Sequence, residues 1–353
     1  MLVESPPESS AGPAAAPDRP VRAGRHALRA AGLLAAVGML VVVCLASVAV
    51  GAKALPLSDV WHGLFHFSGT SGDVLVRDVR VPRTVLGLIV GAALGLAGAV
   101  MQALTRNPLA EPGLLGVNAG ASAAVVSAIS FFGVTSLTGY VWFAFGGAAI
   151  VSVAVYVLGG SRSANPVRLA LAGTAVTAAL YGYVNAVQLL DAAALDRLRF
   201  WTVGSLASAN TETVGKVWPF VALGVLLSLL IARPLNALEM GDDTARALGA
   251  HLTRTRVLAM VAVTLLCGAA TAACGPIVFI GLMIPHLVRT ITGPDMRWIL
   301  PYAAVLAPVL LLGADVVGRI IARPSELQVG IVTALLGGPV FIHLVRRKRM
   351  AQL

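Results

Sequence analysis

Residues 113–161 run for 49 positions without one charged side chain. As a continuous helix rising 1.5 Å per residue, such a run would extend roughly 74 Å. A bilayer's hydrocarbon core is about 30 Å thick. The run therefore crosses a membrane twice, and the stretch from Gly133 to Thr138 is the place for the turn. Further uncharged runs occupy 30–52, 84–105, 169–190, 217–232, 257–288, 298–314 and 327–345. The 257–288 run is broken by "CGPIVFIG", where Pro276 lacks an amide and clashes with a preceding helical turn. It is read as two crossings, the second one short. The expectation is an all-α integral membrane protein with ten transmembrane helices and both termini on one side.

Composition supports that class. Hydrophobic residues make up 58% of the chain and charged residues 12%, against about 25% charged in soluble domains. No stretch is polar enough for a separate soluble domain. Residues 1–28, rich in Pro, Ala and Ser, read as a disordered cytoplasmic arm, and 29–353 as one membrane domain. The run at 30–52 exceeds the ~7–15 apolar residues of a secretory signal and is read as an uncleaved first helix. Cys44, Cys267 and Cys274 lie in apolar runs with no metal-ligand spacing, so no bound metal is expected.

The net charge of +10 reflects basic residues at membrane boundaries rather than a nucleic-acid partner. With the amino terminus inside, inner segments hold 17 of the 26 lysines and arginines and outer segments hold 9. That bias has the sign of the positive-inside rule, and it places the elbow "LTRNPLAEPGLLGVNAG" (104–120) in the cytoplasm. Three of the outer residues, Arg80, Arg83 and Arg319, read either as interfacial snorkelling or as a docking surface for an acidic external partner.

Three further constellations carry information. The longest inner loop, "RPLNALEMGDDTARALGAHLTRTR" (233–256), has Pro234 ending the sixth helix, a turn at Gly241, Asp242 or Asp243 as an N-cap, and a close at Gly249. Two short capped helices carrying Leu238, Met240, Ala245 and Leu248 read as a docking knob for another protein. On the fifth helix Thr174, Thr177, Tyr181, Asn185 and Gln188 recur every three or four residues, forming one polar stripe. Such a stripe suits a pathway wall, with interhelical hydrogen bonding as the plainer use. Asp315 is the one carboxylate well inside an apolar run, and Arg319, four residues on, can neutralise it.

That scarcity of intramembrane carboxylates argues against an ion-driven carrier. No HExxH motif, paired membrane carboxylates or GxxxxGK[ST] phosphate loop is present. Energy for uphill movement has to come from another chain.

The segments "RVPRTVLGLIVGAALGLAGAVMQALTRNPLAEPGLLGVNAGAS" (80–122), "RFWTVGSL" (199–206), "ALEMGDDTARALG" (237–249), "GPIVFIGLMIPHLVR" (275–289) and "ADVVGRIIARPSELQVGIVTALLGGPVFIHLV" (314–345) closely resemble the FecCD-type permeases of ABC importers for ferric siderophores and vitamin B12. The resemblance implies a type II importer permease fold of ten helices, in a homo- or heterodimer with a second permease subunit in the bacterial cytoplasmic membrane. Two cytoplasmic ATPases would hold the ATP and Mg²⁺, so this chain binds no cofactor, and an external substrate-binding protein would deliver the cargo. It further implies docking of that protein at Arg80, Arg83 and Arg319. The cytoplasmic gate falls at Asn107, Leu109, Thr174 and Thr177, and ATPase coupling at Leu238, Gly241, Ala245, Leu248 and Gly249. Gln102 joins Tyr181, Asn185 and Gln188 as expected pathway wall. "RFWTVGSL" looks more like the siderophore permeases than the cobalamin ones, and haem is a further cargo.

Overall fold

The computed structural model describes residues 19–134, 136–160 and 166–350, and among them all regular structure is helical. In chain order the helices are α1 (Arg19–Ala49), α2 (Leu57–Phe65), α3 (Ser71–Val74), α4 (Val81–Thr105), α5 (Val117–Phe132), α6 (Leu137–Leu158), α7 (Pro166–Leu190), α8 (Ala192–Trp201), α9 (Thr211–Leu230), α10 (Ala232–Glu239), α11 (Asp242–Ala247), α12 (Leu252–Cys274), α13 (Ile280–Thr292), α14 (Met296–Ile321) and α15 (Val329–Met350). A π-helical turn, Leu75–Arg80, joins α3 to α4.

Seven helices are long and apolar enough to span a bilayer: His26–Ala49, Ser71–Thr105, Gly139–Leu158, Val167–Leu190, Thr211–Leu230, Leu252–Cys274 and Met296–Ile321. Val117–Phe132, Ile280–Thr292 and Val329–His343 are shorter apolar helices. The expected breaks fall where the sequence puts them. Gly133 stands left-handed (φ 64°) between α5 and α6, and Ser136 caps α6 by accepting from the Gly139 amide. Gly275 (φ 73°) ends α12, and the chain re-enters helix at Ile280. One expectation is corrected: α1 begins at Arg19, so residues 19–28 of the presumed arm are helical. Residues 1–18 lie outside the described residues.

The core is built on α4, which packs against α14, α12, α13 and α9 and is buried on all sides. Glycines explain how so many helices reach it. A methyl group at Gly91 would lie 2.5 Å from Pro308 Cα on α14, and one at Gly95 would lie 2.6 Å from the Ala303 carbonyl oxygen. At Gly98 it would collide with the Gly281 backbone of α13. A stripe of small residues lets membrane helices approach to backbone contact, where dispersion replaces the missing hydrophobic drive. In contrast, α1, α6, α7 and α9 leave most of their surface uncovered, as helices facing lipid or another chain do.

The motif "RFWTVGSL" laces the α12–α13 break. The Ser205 amide donates to the carbonyl of Cys274 (2.8 Å), the last residue of α12, and the Gly330 amide of α15 donates to the Gly204 carbonyl (3.1 Å). A helix end leaves such carbonyls without intrahelical partners, and this loop satisfies one of them inside the protein.

Candidate functional site

The elbow, the 233–256 loop and the start of α14 meet at one end of the bundle. Arg106 adopts a left-handed conformation (φ 50°) and stops α4. The Asn107 side-chain oxygen accepts from the Leu109 amide (3.0 Å), closing a turn around Pro108 of the kind Asn favours. A 3₁₀ turn, Pro112–Leu115, and left-handed Gly116 then lead into α5. Glu111 holds the elbow to α13, its carboxylate accepting from the Phe279 amide at 3.0 Å. Burial pushes this carboxyl above its ordinary range, against that hydrogen bond.

The knob is bolted to the same elbow. The Arg106 guanidinium donates through Nε to the Leu238 carbonyl on α10 (2.7 Å) and through Nη2 to Asp242 on α11. Asp242 also accepts from Arg256 Nη2 of α12, at 2.8 and 3.0 Å. Partial burial raises the Asp242 pKa, but hydrogen bonds and charge from Arg256 and Arg106 outweigh it and hold the carboxyl below its usual value. On the other side Arg289 of α13 pairs with Glu239 (2.7 Å). Asn236 donates to Asp295 (2.8 Å) and accepts from the Met296 amide (2.8 Å) at the start of α14. Thus α10–α11 is tied to α4, α12, α13 and α14.

Within the knob the expected contact residues divide. Met240 and Leu248 are exposed, at 63% and 64%, and Gly249 is exposed with them. Leu238 and Ala245 are buried and pack the knob onto the bundle. Gly241 (φ 109°) supplies the turn and occupies the N-cap of α11, so Asp242 is released from capping to bind the two arginines. Pro234 lies in the first turn of α10, while α9 has already ended at Leu230.

The polar stripe of α7 stays open on this chain. Thr174, Tyr181 and Asn185 are exposed, and Thr177 and Gln188 are half-buried. Gly173 packs directly on the Leu114 carbonyl, and a methyl at Gly116 would lie 3.7 Å from Thr177 Oγ1, so α7 rests on the elbow's second turn. Asn107 is exposed and Leu109 half-buried at its first turn. Gln102 departs from expectation. It is 1% exposed, donates to the Leu282 carbonyl of α13 at 3.1 Å and ties two helices. It lines a small cavity of about 270 Å³ with Arg106 and Arg289.

At the opposite end the three expected docking arginines are turned inward, with 1–5% exposure. Arg83 makes a two-pronged contact with Asp315 (2.7 and 3.0 Å) and a third bond to Glu326 (2.6 Å). Arg319 pairs with Asp315 (2.9 Å), the i,i+4 neutralisation read from the sequence, and donates to the carbonyls of Ser47 and Val50. Arg80 donates to the carbonyls of Val48, Ala49 and Lys53. The oxygens of Ser47, Val48 and Ala49 belong to the last turn of α1, where orphan carbonyls and the negative end of the helix dipole call for cations, and those of Val50 and Lys53 follow directly after it. All three arginines are buried and bonded within this chain.

Comparison with known proteins follows this geometry. The sequence profile of the FecCD transport family matches residues 39–347. The chain belongs to that family. The ferric enterobactin permease FepD of Escherichia coli K12 is 49% identical over 315 residues, covering 88% of this chain and 93% of FepD. The Bacillus subtilis YfiZ protein, described as a probable siderophore permease, is 38% identical over 88% of this chain and 93% of its own. A solved chain from an inward-facing metal-chelate type ABC transporter superposes with TM-score 0.79 at 27% identity, covering 89% of this chain and 98% of its own.

In this FecCD family member, sequence reasoning missed the bolts. Arg106, Arg256 and Arg289 served there as topology markers, and Glu111, Glu239 and Asn236 drew no comment. The available signal was charge-bearing residues at every helix end bordering one loop. Pairing them required knowing which loops meet.

Proposed function

We propose that this chain is the permease subunit of an ATP-binding-cassette importer that moves a ferric siderophore across the cytoplasmic membrane by alternating access. The observation carrying the mechanism is the Arg106 joint, where one guanidinium binds both short helices of the knob from the position at which α4 ends in the elbow. Met240 and Leu248 seat in a partner ATPase, which supplies ATP hydrolysis with Mg²⁺. When the two ATPases close, α10–α11 shifts, and the bolts carry that shift to the elbow and to α12, α13 and α14. The exposed stripe of α7 faces a second permease subunit across the pathway. Movement of packed helices as rigid units between two discrete arrangements is the ordinary form of such a switch.

The siderophore reading is supported by relatives: 49% identity to the ferric enterobactin permease exceeds the 36% to the Yersinia pestis hemin permease HmuU. With both termini cytoplasmic, the knob faces the ATPases and the Arg83–Asp315 end faces outward. A binding protein then meets exposed outer cations such as Arg77 and Arg323, while Arg80, Arg83 and Arg319 hold the platform beneath them. The test is uptake of radio-iron-labelled ferric siderophore into proteoliposomes holding the full set of subunits. Uptake requiring ATP and this chain is expected. Uptake that persists without the ATPase subunits, driven by an ion gradient, would replace the proposal with a secondary carrier.

A further inference from the structure

One face of α12 is exposed along a line that starts with a cation and continues apolar. Arg254, Val257 and Val261 are exposed at spacings of three and four, with Thr264 and Leu265 half-buried beyond them. Two cavities lie along this line and share Val257. The first, about 850 Å³, gathers Arg246, His251, Arg254 and Arg256 around the start of α12. The second, about 310 Å³, runs between α6 and α12 and is lined by Phe145, Ser152, Val153, Met260 and Val261 among others. Ser152 is 1% exposed, and its hydroxyl has no hydrogen-bond partner.

From Arg254 to Leu265 the helix rises ~16 Å, about half the ~30 Å hydrocarbon core. The groove therefore spans one leaflet, with its basic mouth at the same end as the knob. Among the described residues Arg254 has no ion-pair partner, so its charge is available to an anion. The unpartnered Ser152 hydroxyl offers a donor within the apolar groove, suited to an ester carbonyl. Together they ask for a molecule with an anionic head, an ester and an acyl chain.

We propose that the α6–α12 groove is a binding site for an anionic glycerophospholipid of the inner leaflet. Its phosphodiester sits among Arg254, His251 and Arg246, and one acyl chain lies between Ser152 and Val261. Basic pockets between spanning helices on the cytoplasmic side suit such head groups.

The test uses the full chain purified with its partner subunits, reconstituted with phosphatidylglycerol or phosphatidylcholine and examined by native mass spectrometry. Phosphatidylglycerol should be retained about tenfold over phosphatidylcholine. Arg254→Ala removes the unpaired head-group cation, and Val261→Phe fills the groove without touching charge. Each should cut retention severalfold while uptake of the ferric siderophore of the proposed function continues. A photoactivatable phosphatidylglycerol, applied to the unsubstituted complex, should label α6 or α12, which keeps the question decidable if a variant fails to fold. Equal retention of the two lipids, wild-type retention by Val261→Phe, or labelling confined to other helices would each overturn the assignment. So would crosslinks from a Val261→Cys variant to a partner subunit in place of lipid.

Discussion

Asp315 is fully buried and binds two arginines at once. Breaking a buried pair by removing one partner leaves an uncompensated charge and costs ~3–5 kcal/mol. Asp315→Asn is expected to lower the detergent-solubilised melting temperature sharply, whereas Arg77→Ala, at an exposed position, should leave it nearly unchanged. By the same reasoning Arg80→Glu with Arg83→Glu disrupts folding, since it sets one carboxylate against backbone carbonyls at and beyond the end of α1 and the other against Asp315 and Glu326. On the knob, Leu248→Asp places a charge at an exposed position. Folding should be retained and ATP-driven uptake lost; uptake at the wild-type rate would remove the knob from the coupling route. Asp242 titrates below its ordinary value, so its contribution is complete above the unfolded carboxylate pKa of ~3.9 and is lost only as pH falls through the lower folded value. Uptake by the reconstituted complex should therefore show no step attributable to this joint between about pH 5 and 8, while Asp242→Asn should slow it at every pH in that range.

At the scale of elements, the glycine stripe of α4 makes the sharpest claim. Gly95→Leu drives a branched side chain into the Ala303 carbonyl and the Ala307 methyl; overpacking of this kind costs ~1–3 kcal/mol or more. Gly146→Leu, where nothing lies within 4 Å, should be tolerated, and comparing the two melting temperatures checks the assignment. Helix limits were legible because they depend on local chemistry. An apolar run has to find a turn, and Gly133 and Gly275-Pro276 are residues that turn or break a helix. The orientation of side chains at helix ends was not legible. Arg80 and Arg319 look identical to solvent-facing arginines until α1 is seen packed on α14, with its last carbonyls over them. Gln102 likewise reads as pathway wall until α13 closes over it. On α7 the stripe was readable because every residue there obeys one helical period.

For the whole molecule, the two ends are held by different physics. One end is a buried charge cluster that fixes α1, α4 and α14 together with little room for rearrangement. The other is a set of separate, partly exposed bolts around α10–α11, each small enough to shift with its partners. Under the proposed function, that asymmetry gives a firm platform at the Arg83–Asp315 end and a responsive end at the knob. The central claim is that engine and cargo act on this chain through separate subunits. Its most direct test is ATP hydrolysis in lipid by the permease pair, its ATPases and its binding protein, with ferric siderophore, cobalamin or haem supplied in turn. Hydrolysis stimulated by the complete set with ferric siderophore, and abolished by Leu248→Asp, is the predicted result. Hydrolysis that ignores the permease and its cargo, or is unaffected by that substitution, would contradict the account.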